Sequence, residues 1–169
     1  EATDTDMPDD VKEKLLRFAR AAVAVKTMKG KSYLQIGSIC MGIAGSSIDP
    51  DFLEEYLGLR VESVDEVEIL RRMEENIYDE AEFQKAHKWT KEKCTIGFDK
   101  NPEFVRKSDE EKEKDLEFVV KMMVIIKDLM NGNPNLPKGC EEEMVGHNAI
   151  AAGFQGQRQW TDFYPNCDF

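Results

Sequence analysis

The chain has 169 residues, 23 of them basic and 34 acidic, so its formal net charge is −11. This length suits one domain of ordinary size, and 41% hydrophobic residues exclude a disordered chain. The acidic excess argues against nucleic acid or an anionic membrane as partner, because both need a basic footprint. No apolar run reaches the roughly 18 residues of a membrane span, and the acidic first residues are unlike a signal peptide. We therefore expect a cytoplasmic protein.

The four cysteines are widely spread and form no C-x-x-C pair; they are Cys40, Cys94, Cys140 and Cys167. This spacing favours reduced thiols over a disulfide framework or a zinc site. The chain begins without a methionine and ends without a tail. We therefore expect a piece of a longer protein.

The first predicted element is an amphipathic helix over residues 8–29. Its apolar residues recur at spacings of three and four, as in Val11, Leu15, Phe18, Ala22 and Val25. Pro8 suits the first turn, and Gly30 follows the last. The stripe predicts a helix face packed on a core.

A strand–turn–helix–strand pattern follows this helix. A short β-rich run over 32–36 enters a glycine-rich turn, Asp49-Pro50 opens a helix over 51–57, and residues 59–64 form a second strand. Such a βαβ unit predicts a parallel sheet with a right-handed crossover. The predicted fold is α/β: a helix-rich Rossmann-like or flavodoxin-like domain with a small, truncated parallel sheet. Since two strands are marginal, either Ala149–Phe154 is a third strand or missing sequence completes the sheet.

Helical patterns fill most of the second half of the chain. Val67, Leu70, Met73 and Ile77 share one predicted face, and a further helix is expected from about residue 79 to 94. Ser108 and Glu111 form a capping-box pattern at the start of the longest helix, 108–131. Its predicted core face comprises Leu116, Val119, Val120, Met123, Ile126 and Met130, and residues 122–126 are expected to be buried on two sides. Residues 141–159 allow a helix, although glycines in their second half count against it.

The glycine-rich turn is the first candidate site. Gly37, Gly42 and Gly45 follow a strand, where open α/β sheets bind ligands. The pattern is neither G-x-G-x-x-G nor a P-loop, so a phosphate or dinucleotide site is the least favoured interpretation. A structural turn is favoured, and contact with a polar ligand such as a sugar stays open.

The histidines offer little catalytic chemistry. Glu143 and His147 are four residues apart and would share a helix face, but a metal site needs a further ligand, so an ordinary surface pair is favoured. His87 lies in a charged helix and is expected to be solvated. With no Ser-His-Asp or Cys-His arrangement, a self-contained hydrolase is not predicted.

The segment 153–162 is unusual in combining glycines, amides, an arginine and a tryptophan. Amides both donate and accept hydrogen bonds, and the face of Trp160 is able to stack on a sugar ring. Packing of this loop on another domain or subunit is an equal alternative.

Several of these segments together resemble the bacterial L-fucose isomerases. They are Lys31-Ser-Tyr-Leu-Gln-Ile-Gly37, the Ser38-Ile-Cys-Met-Gly-Ile-Ala-Gly45 turn, Asn148-Ala-Ile-Ala-Ala-Gly-Phe-Gln-Gly-Gln-Arg158 with Trp160-Thr-Asp162, Glu13-Lys-Leu-Leu-Arg-Phe-Ala-Arg20 and Ile77-Tyr-Asp-Glu-Ala-Glu82. The resemblance covers nearly the whole chain. It implies that residues 1–169 are the middle, second domain of such an enzyme, with amino-terminal and carboxyl-terminal domains on either side.

The resemblance implies an aldose–ketose isomerase of L-fucose and L-fuculose, often also of D-arabinose and its ketose, D-ribulose. In that family Mn²⁺ binds the substrate oxygens while carboxylates move a proton through an enediol. The two acidic metal ligands and the histidine would lie beyond Phe169, so no catalytic residue and no metal ligand is assigned to this chain.

Two substrate contacts are implied residue by residue. Gln155 matches the first glutamine of the Gly-Phe-Gln-Gly-Gln-Arg motif, which reaches sugar hydroxyls, and Met41 matches an apolar wall of the pocket. Cys40 stands where a small apolar or hydroxyl residue is expected. The family also implies a homohexamer. The alternatives are a non-enzymatic sugar-binding or scaffolding domain with an isomerase-like fold, and an isomerase of another sugar such as L-arabinose.

Overall fold

The protein is described by a computed structural model that covers residues 7–38, 49–95, 97–155, 160 and 163–165. Helices and strands follow in the order α1 Asp9–Met28, β1 Ser32–Gly37, α2 Pro50–Leu57, β2 Arg60–Val64, α3 Glu66–Glu74, α4 Glu80–Lys93, α5 Asp109–Asn131 and β3 Ala149–Gln155, with a 3-10 turn at Glu103–Val105. The predicted α/β class is confirmed. Local signals account for the boundaries: Asp49, Asp65 and Asp79 cap three helices, and Ser108 with Glu111 forms the expected capping box.

The strands form one parallel sheet in the order β2-β1-β3. Ser32 pairs with Arg60 on one side and with Ala149 on the other, so β1 is the central strand. The expectation of a third strand in the chain is confirmed. A helix over 141–159 is wrong, because residues 141–144 form turns and β3 begins at Ala149. The apolar residues of β3 lack helical spacing, and pairing with β1 satisfies their backbone.

The core lies between the sheet and α5, which contacts α3, α4 and β3. Burial on two sides is confirmed for four positions of α5, namely Met122, Val124, Ile125 and Ile126. Met123 is 45% exposed, however, and Val67 in α3 is 64% exposed whereas Ile69 is fully buried. The remaining members of the two predicted faces are buried or pack against the core, among them Leu70, Met73 and Ile77, so each prediction fails at one position only. No described helix is long and apolar enough to cross a membrane.

Helix α1 has the predicted amphipathic sequence but no buried residue. Phe18 is 75% exposed and Leu15 51% exposed. The end of α1 is tied to the remaining fold by a hydrogen bond from the Gly30 backbone N–H to the Gly58 carbonyl, 2.9 Å long. The apolar face of α1 is therefore not covered by any of the residues that the structure describes.

Asp128 of α5 and Arg72 of α3 are buried polar residues, and Arg72 also contacts the loop that precedes β3. Asp128 is fully buried; its Oδ1 accepts a 3.0 Å hydrogen bond from Asn133, and its Oδ2 has no partner among the described residues. Burial raises the pKa of Asp128, which the Asn133 hydrogen bond only partly opposes. Arg72, only 4% exposed, donates from Nε to Glu68 at 2.8 Å and from Nη1 to the Glu143 carbonyl at 3.3 Å.

Candidate functional site

The carboxyl ends of the three strands meet at one edge of the sheet, which we call the carboxyl edge. Gly37 at the end of β1 pairs with Gln155 at the end of β3, and Ile36 pairs with Val64 at the end of β2. In open parallel sheets ligands bind at this edge. The structure therefore places Gln155, half-buried at the last position of β3, where a ligand contact is expected.

Gly37 is required by the geometry of this edge. Its φ is +84°, and a Cβ at this position would lie 2.6 Å from the Gln155 carbonyl oxygen and 2.7 Å from Oε1 of Glu66. The side chain of Gln35 donates a 3.2 Å hydrogen bond to the Gly37 carbonyl. A side chain at residue 37 would thus strain the backbone and displace both neighbours.

Glu66 is a residue of this edge that the sequence analysis did not single out. Its Oε1 is buried and has no hydrogen-bond partner among the described residues. Burial raises the pKa of Glu66, and the negative charge of Asp65 raises it further. The available signal was the acidic pair Asp65-Glu66 directly after a strand that ends at this edge. The carboxyl edge therefore contains a half-buried amide, Gln155, and a carboxyl group, Glu66, with one buried oxygen.

Met41 lies outside the described residues, as does the glycine-rich turn over 39–48. The contact inferred for Met41 and the role of Gly42 and Gly45 stay predictions. The same holds for residues 156–159, 161 and 162 in the amide-rich segment.

Trp160 is a core residue and not a sugar-stacking surface. It is 1% exposed, and its ring centroid lies 5.0 Å from Tyr164, 5.2 Å from Phe154 and 6.2 Å from Phe118. Its Nε1 donates a 3.4 Å hydrogen bond to the Pro165 carbonyl. The idea that Trp160 stacks on a sugar is therefore wrong, because its ring packs within the chain against Phe154 and two other aromatic rings.

Glu143 and His147 do not share a helix face, because this part of the chain is a turn and a loop. Glu143 accepts a 2.7 Å hydrogen bond from Arg71, which lowers the pKa of Glu143, whereas Nδ1 of His147 lies 3.7 Å from Glu62. The His147 backbone instead links α5 to β1: its N–H donates to Leu129, and its carbonyl accepts from Ser32. These residues position β3 and hence Gln155.

Among the described residues, one group of three could hold a metal ion: His87 of α4 with Glu113 and Glu117 of α5. None of the three belongs to a strand or directly follows one, so the group does not supply a metal ion to the carboxyl edge. His87 was expected to be solvated, but its side chain is 16% exposed and stacks on Phe83. That expectation is wrong because the residue faces α5.

Of the four cysteines, Cys94 and Cys140 lie in the described part of the chain and both are free thiols. This agrees with the expected reduced state at these two positions. Cys40 and Cys167 lie outside the described residues.

In a comparison with known proteins, two consecutive ranges of the chain match two domains of one family. Residues 31–169 match the L-fucose isomerase second N-terminal domain, and residues 1–30 match the first N-terminal domain of the same family. The chain is 61% identical to an L-fucose isomerase of Bacteroides thetaiotaomicron and 63% identical to one of Phocaeicola vulgatus, each over 98% of this chain. It is 59% identical to an L-fucose isomerase of Streptococcus pneumoniae over its whole length. The chain spans 29% of the length of these relatives.

Proposed function

Because the chain belongs to the L-fucose isomerase family, we propose that the protein it forms part of interconverts L-fucose and L-fuculose. The observation that carries this proposal is about 60% identity over essentially the whole chain to relatives with that name. D-arabinose and its ketose, D-ribulose, are the second proposed substrate pair. Since the chain spans 29% of the relatives, the activity is proposed for the whole protein.

Aldose–ketose interconversion moves a proton between neighbouring carbons through an enediol, so it requires a positioned acid/base group. A divalent cation, for which we propose Mn²⁺, would stabilise negative charge on the sugar oxygens. The described residues offer no ligand set at the carboxyl edge that fits such an ion. We propose that its ligands and the acid/base carboxylates lie outside this chain, and we derive no catalytic step from its residues.

The proposed contribution of this chain is to hold the sugar. Gln155 would both donate to and accept from sugar hydroxyls through its side-chain amide. Its position at the carboxyl edge, in register with Gly37, supports this role. Met41 would add an apolar wall.

We propose that residues 31–169 form the middle domain of three. The family match changes at residue 30, and the apolar face of α1 is not covered by the described residues. Both observations support assignment of α1 to the preceding domain. A homohexamer in the cytoplasm is proposed from the family resemblance.

The deciding experiment measures ketose formation from L-fucose, with Mn²⁺ present, by the full-length protein and by residues 1–169. Activity in the full-length protein alone is expected. Activity of the fragment would refute the assignment of the catalytic groups. A folded, metal-loaded full-length protein that converts neither L-fucose nor D-arabinose would favour another sugar or a non-enzymatic binding domain.

The role of Gln155 has its own test in the full-length protein. Gln155→Ala should lower kcat/KM for L-fucose by roughly 10- to 100-fold, corresponding to loss of one or two hydroxyl hydrogen bonds. Gln84→Ala is the matched control, because Gln84 is exposed on α4 and bonds only to Glu80 among the contacts described for it. Equal activity of the two variants would remove Gln155 from the binding site.

A further inference from the structure

The interface between α4 and α5 brings together one imidazole and two carboxylates. His87 projects from α4, while Glu113 and Glu117 are four residues apart on α5 and so lie on one helix face. One ligand atom from each residue lies within 4.8 Å of the others. Three potential ligands on two packed helices are thus already gathered without any rearrangement of the backbone.

The imidazole of His87 is held in place and its Nε2 has no hydrogen-bond partner among the described residues. Its ring stacks on Phe83 with centroids 5.7 Å apart and an interplanar angle of 24°. Nε2 is buried and lies 3.2 Å from Oε1 of Glu113, without the alignment that a hydrogen bond requires. Glu113 is thus the ion-pair partner of a protonated His87, and a metal ion would bind both groups in place of that proton.

The spacing of these two atoms fits a shared metal ion. Ligands about 2.0–2.1 Å from Zn²⁺ in a tetrahedral site are separated from one another by about 3.3–3.4 Å. The distance of 3.2 Å between Nε2 and Oε1 is close to this value. Imidazole and carboxylate are both common zinc ligands, and water completes the coordination where the protein supplies three ligands.

One cation already competes for this group. Lys91, one turn after His87, donates a 2.7 Å hydrogen bond to Oε1 of Glu113, and this contact lowers the pKa of Glu113. The ammonium group lies on the surface, with the Lys91 side chain 51% exposed, and such pairs contribute little stability. Because Lys91 binds the same oxygen that lies beside His87, removal of its ammonium group should favour a metal ion at this site.

From this arrangement we propose that His87, Glu113 and Glu117 form a Zn²⁺ site that links α4 to α5. The site is independent of the isomerase assignment, since none of its residues lies at the carboxyl edge. The ion would stabilise the contact between α4 and α5, because an ion that binds only the folded state shifts the folding equilibrium towards that state.

The test uses the metal-free full-length protein, Zn²⁺ titrated against a chromophoric chelator, and Co²⁺ absorption as a spectroscopic probe. Wild type should bind one more equivalent of Zn²⁺ per chain than His87→Gln or Glu117→Gln. Glu117→Gln changes an exposed residue, so its folding is not at risk. The control is His147→Gln, because His147 also lies beside a glutamate but has no third ligand among the described residues.

The variant Lys91→Gln is a second test, in which the affinity for Zn²⁺ is expected to increase. Removal of the competing ammonium should tighten Zn²⁺ binding at this site by about 2- to 5-fold, since surface charges of this kind interact by up to about 1 kcal/mol. Equal Zn²⁺ stoichiometry in wild type, His87→Gln and Glu117→Gln would overturn the proposal. So would an equal loss in His147→Gln, which would indicate non-specific binding to histidine.

Discussion

Gly37 and Gln155 pair at the ends of two parallel strands, and the backbone carbonyl of Gln155 lies where a side chain of residue 37 would begin. A Cβ on Gly37 would lie 2.6 Å from the Gln155 carbonyl oxygen. Because this oxygen belongs to the backbone, a Cβ at residue 37 could be accommodated only if the end of β3 moved. The absence of a side chain at residue 37 therefore helps to set the position of Gln155.

The first prediction concerns this pair. Gly37→Ala should lower the free energy of unfolding by about 2–4 kcal/mol, because it adds a steric clash to the cost of a positive φ. Gly30→Ala has a similar φ of +80° but open space around its Cβ, so it should cost only about 1 kcal/mol. Urea unfolding of the three proteins measures both effects. An equal loss of unfolding free energy in the two variants would mean that β3 shifts to accommodate the added methyl group.

The second prediction concerns pH. Since burial raises the pKa of Asp128, the folded state retains a proton that the unfolded state has lost, and stability falls as pH rises from about 4 through the folded pKa. Asp128→Asn removes this dependence and keeps an acceptor for Asn133. It should therefore be more stable than wild type at neutral pH by about 1–3 kcal/mol, and equal near pH 4.

Unfolding midpoints measured between pH 4 and 8 test this difference, with Asp51→Asn as the exposed control. Parallel curves for wild type and Asp128→Asn would show that Asp128 is ionised in the fold and compensated, for example by Arg72 or Lys127, which both oppose the rise in its pKa.

The third prediction compares two arginines. Arg72→Met should lower the free energy of unfolding by about 2–4 kcal/mol, because it removes the buried partner of Glu68 and the contact to the loop before β3. Arg60→Met should cost less than about 1 kcal/mol, since Arg60 is 53% exposed and lies 3.7 Å from Glu62. Thermal unfolding checks both. A small effect at Arg72 would mean that Arg71 alone holds Glu68 and the loop.

The fourth prediction separates packing from sugar binding at Trp160. Trp160→Phe should destabilise the protein by about 1–3 kcal/mol through lost volume and the lost hydrogen bond to Pro165. The KM for L-fucose should change by less than about twofold, because a buried ring does not contact the substrate. A large rise in KM without loss of stability would indicate that Trp160 contacts the substrate.

Local patterns predicted most of the fold. The glycines that end elements, the cap at Asp49 and the capping box at Ser108 each depend on a few neighbouring residues, so the sequence alone predicts them. Which face of a helix is covered depends on partners far away in the chain. That is why Met123 is exposed although the apolar pattern places it on the core face, and why the exposure of Phe18 has no signal in the sequence.

The candidate site was predicted less completely. Gln155 was identified through the resemblance, and its place at the carboxyl edge depends on the register of β1 with β3. Glu66 was missed because an acidic residue at the start of a helix is an ordinary capping signal; its buried oxygen is a property of the folded chain. The meeting of His87 with Glu113 depends on how α4 packs on α5, which no local pattern specifies.

The position of β1 at the centre of the sheet has a consequence for how the protein folds as it is synthesised. Ser32 pairs with Arg60 early in the chain, but its hydroxyl bonds to His147, 115 positions later. Contacts of such long range form slowly. At about 5–20 residues per second, one edge of β1 would stay unpaired for roughly 4–18 s after β2 has been made. An open strand edge invites association with other chains, so this interval is the one in which a nascent chain most needs protection by chaperones.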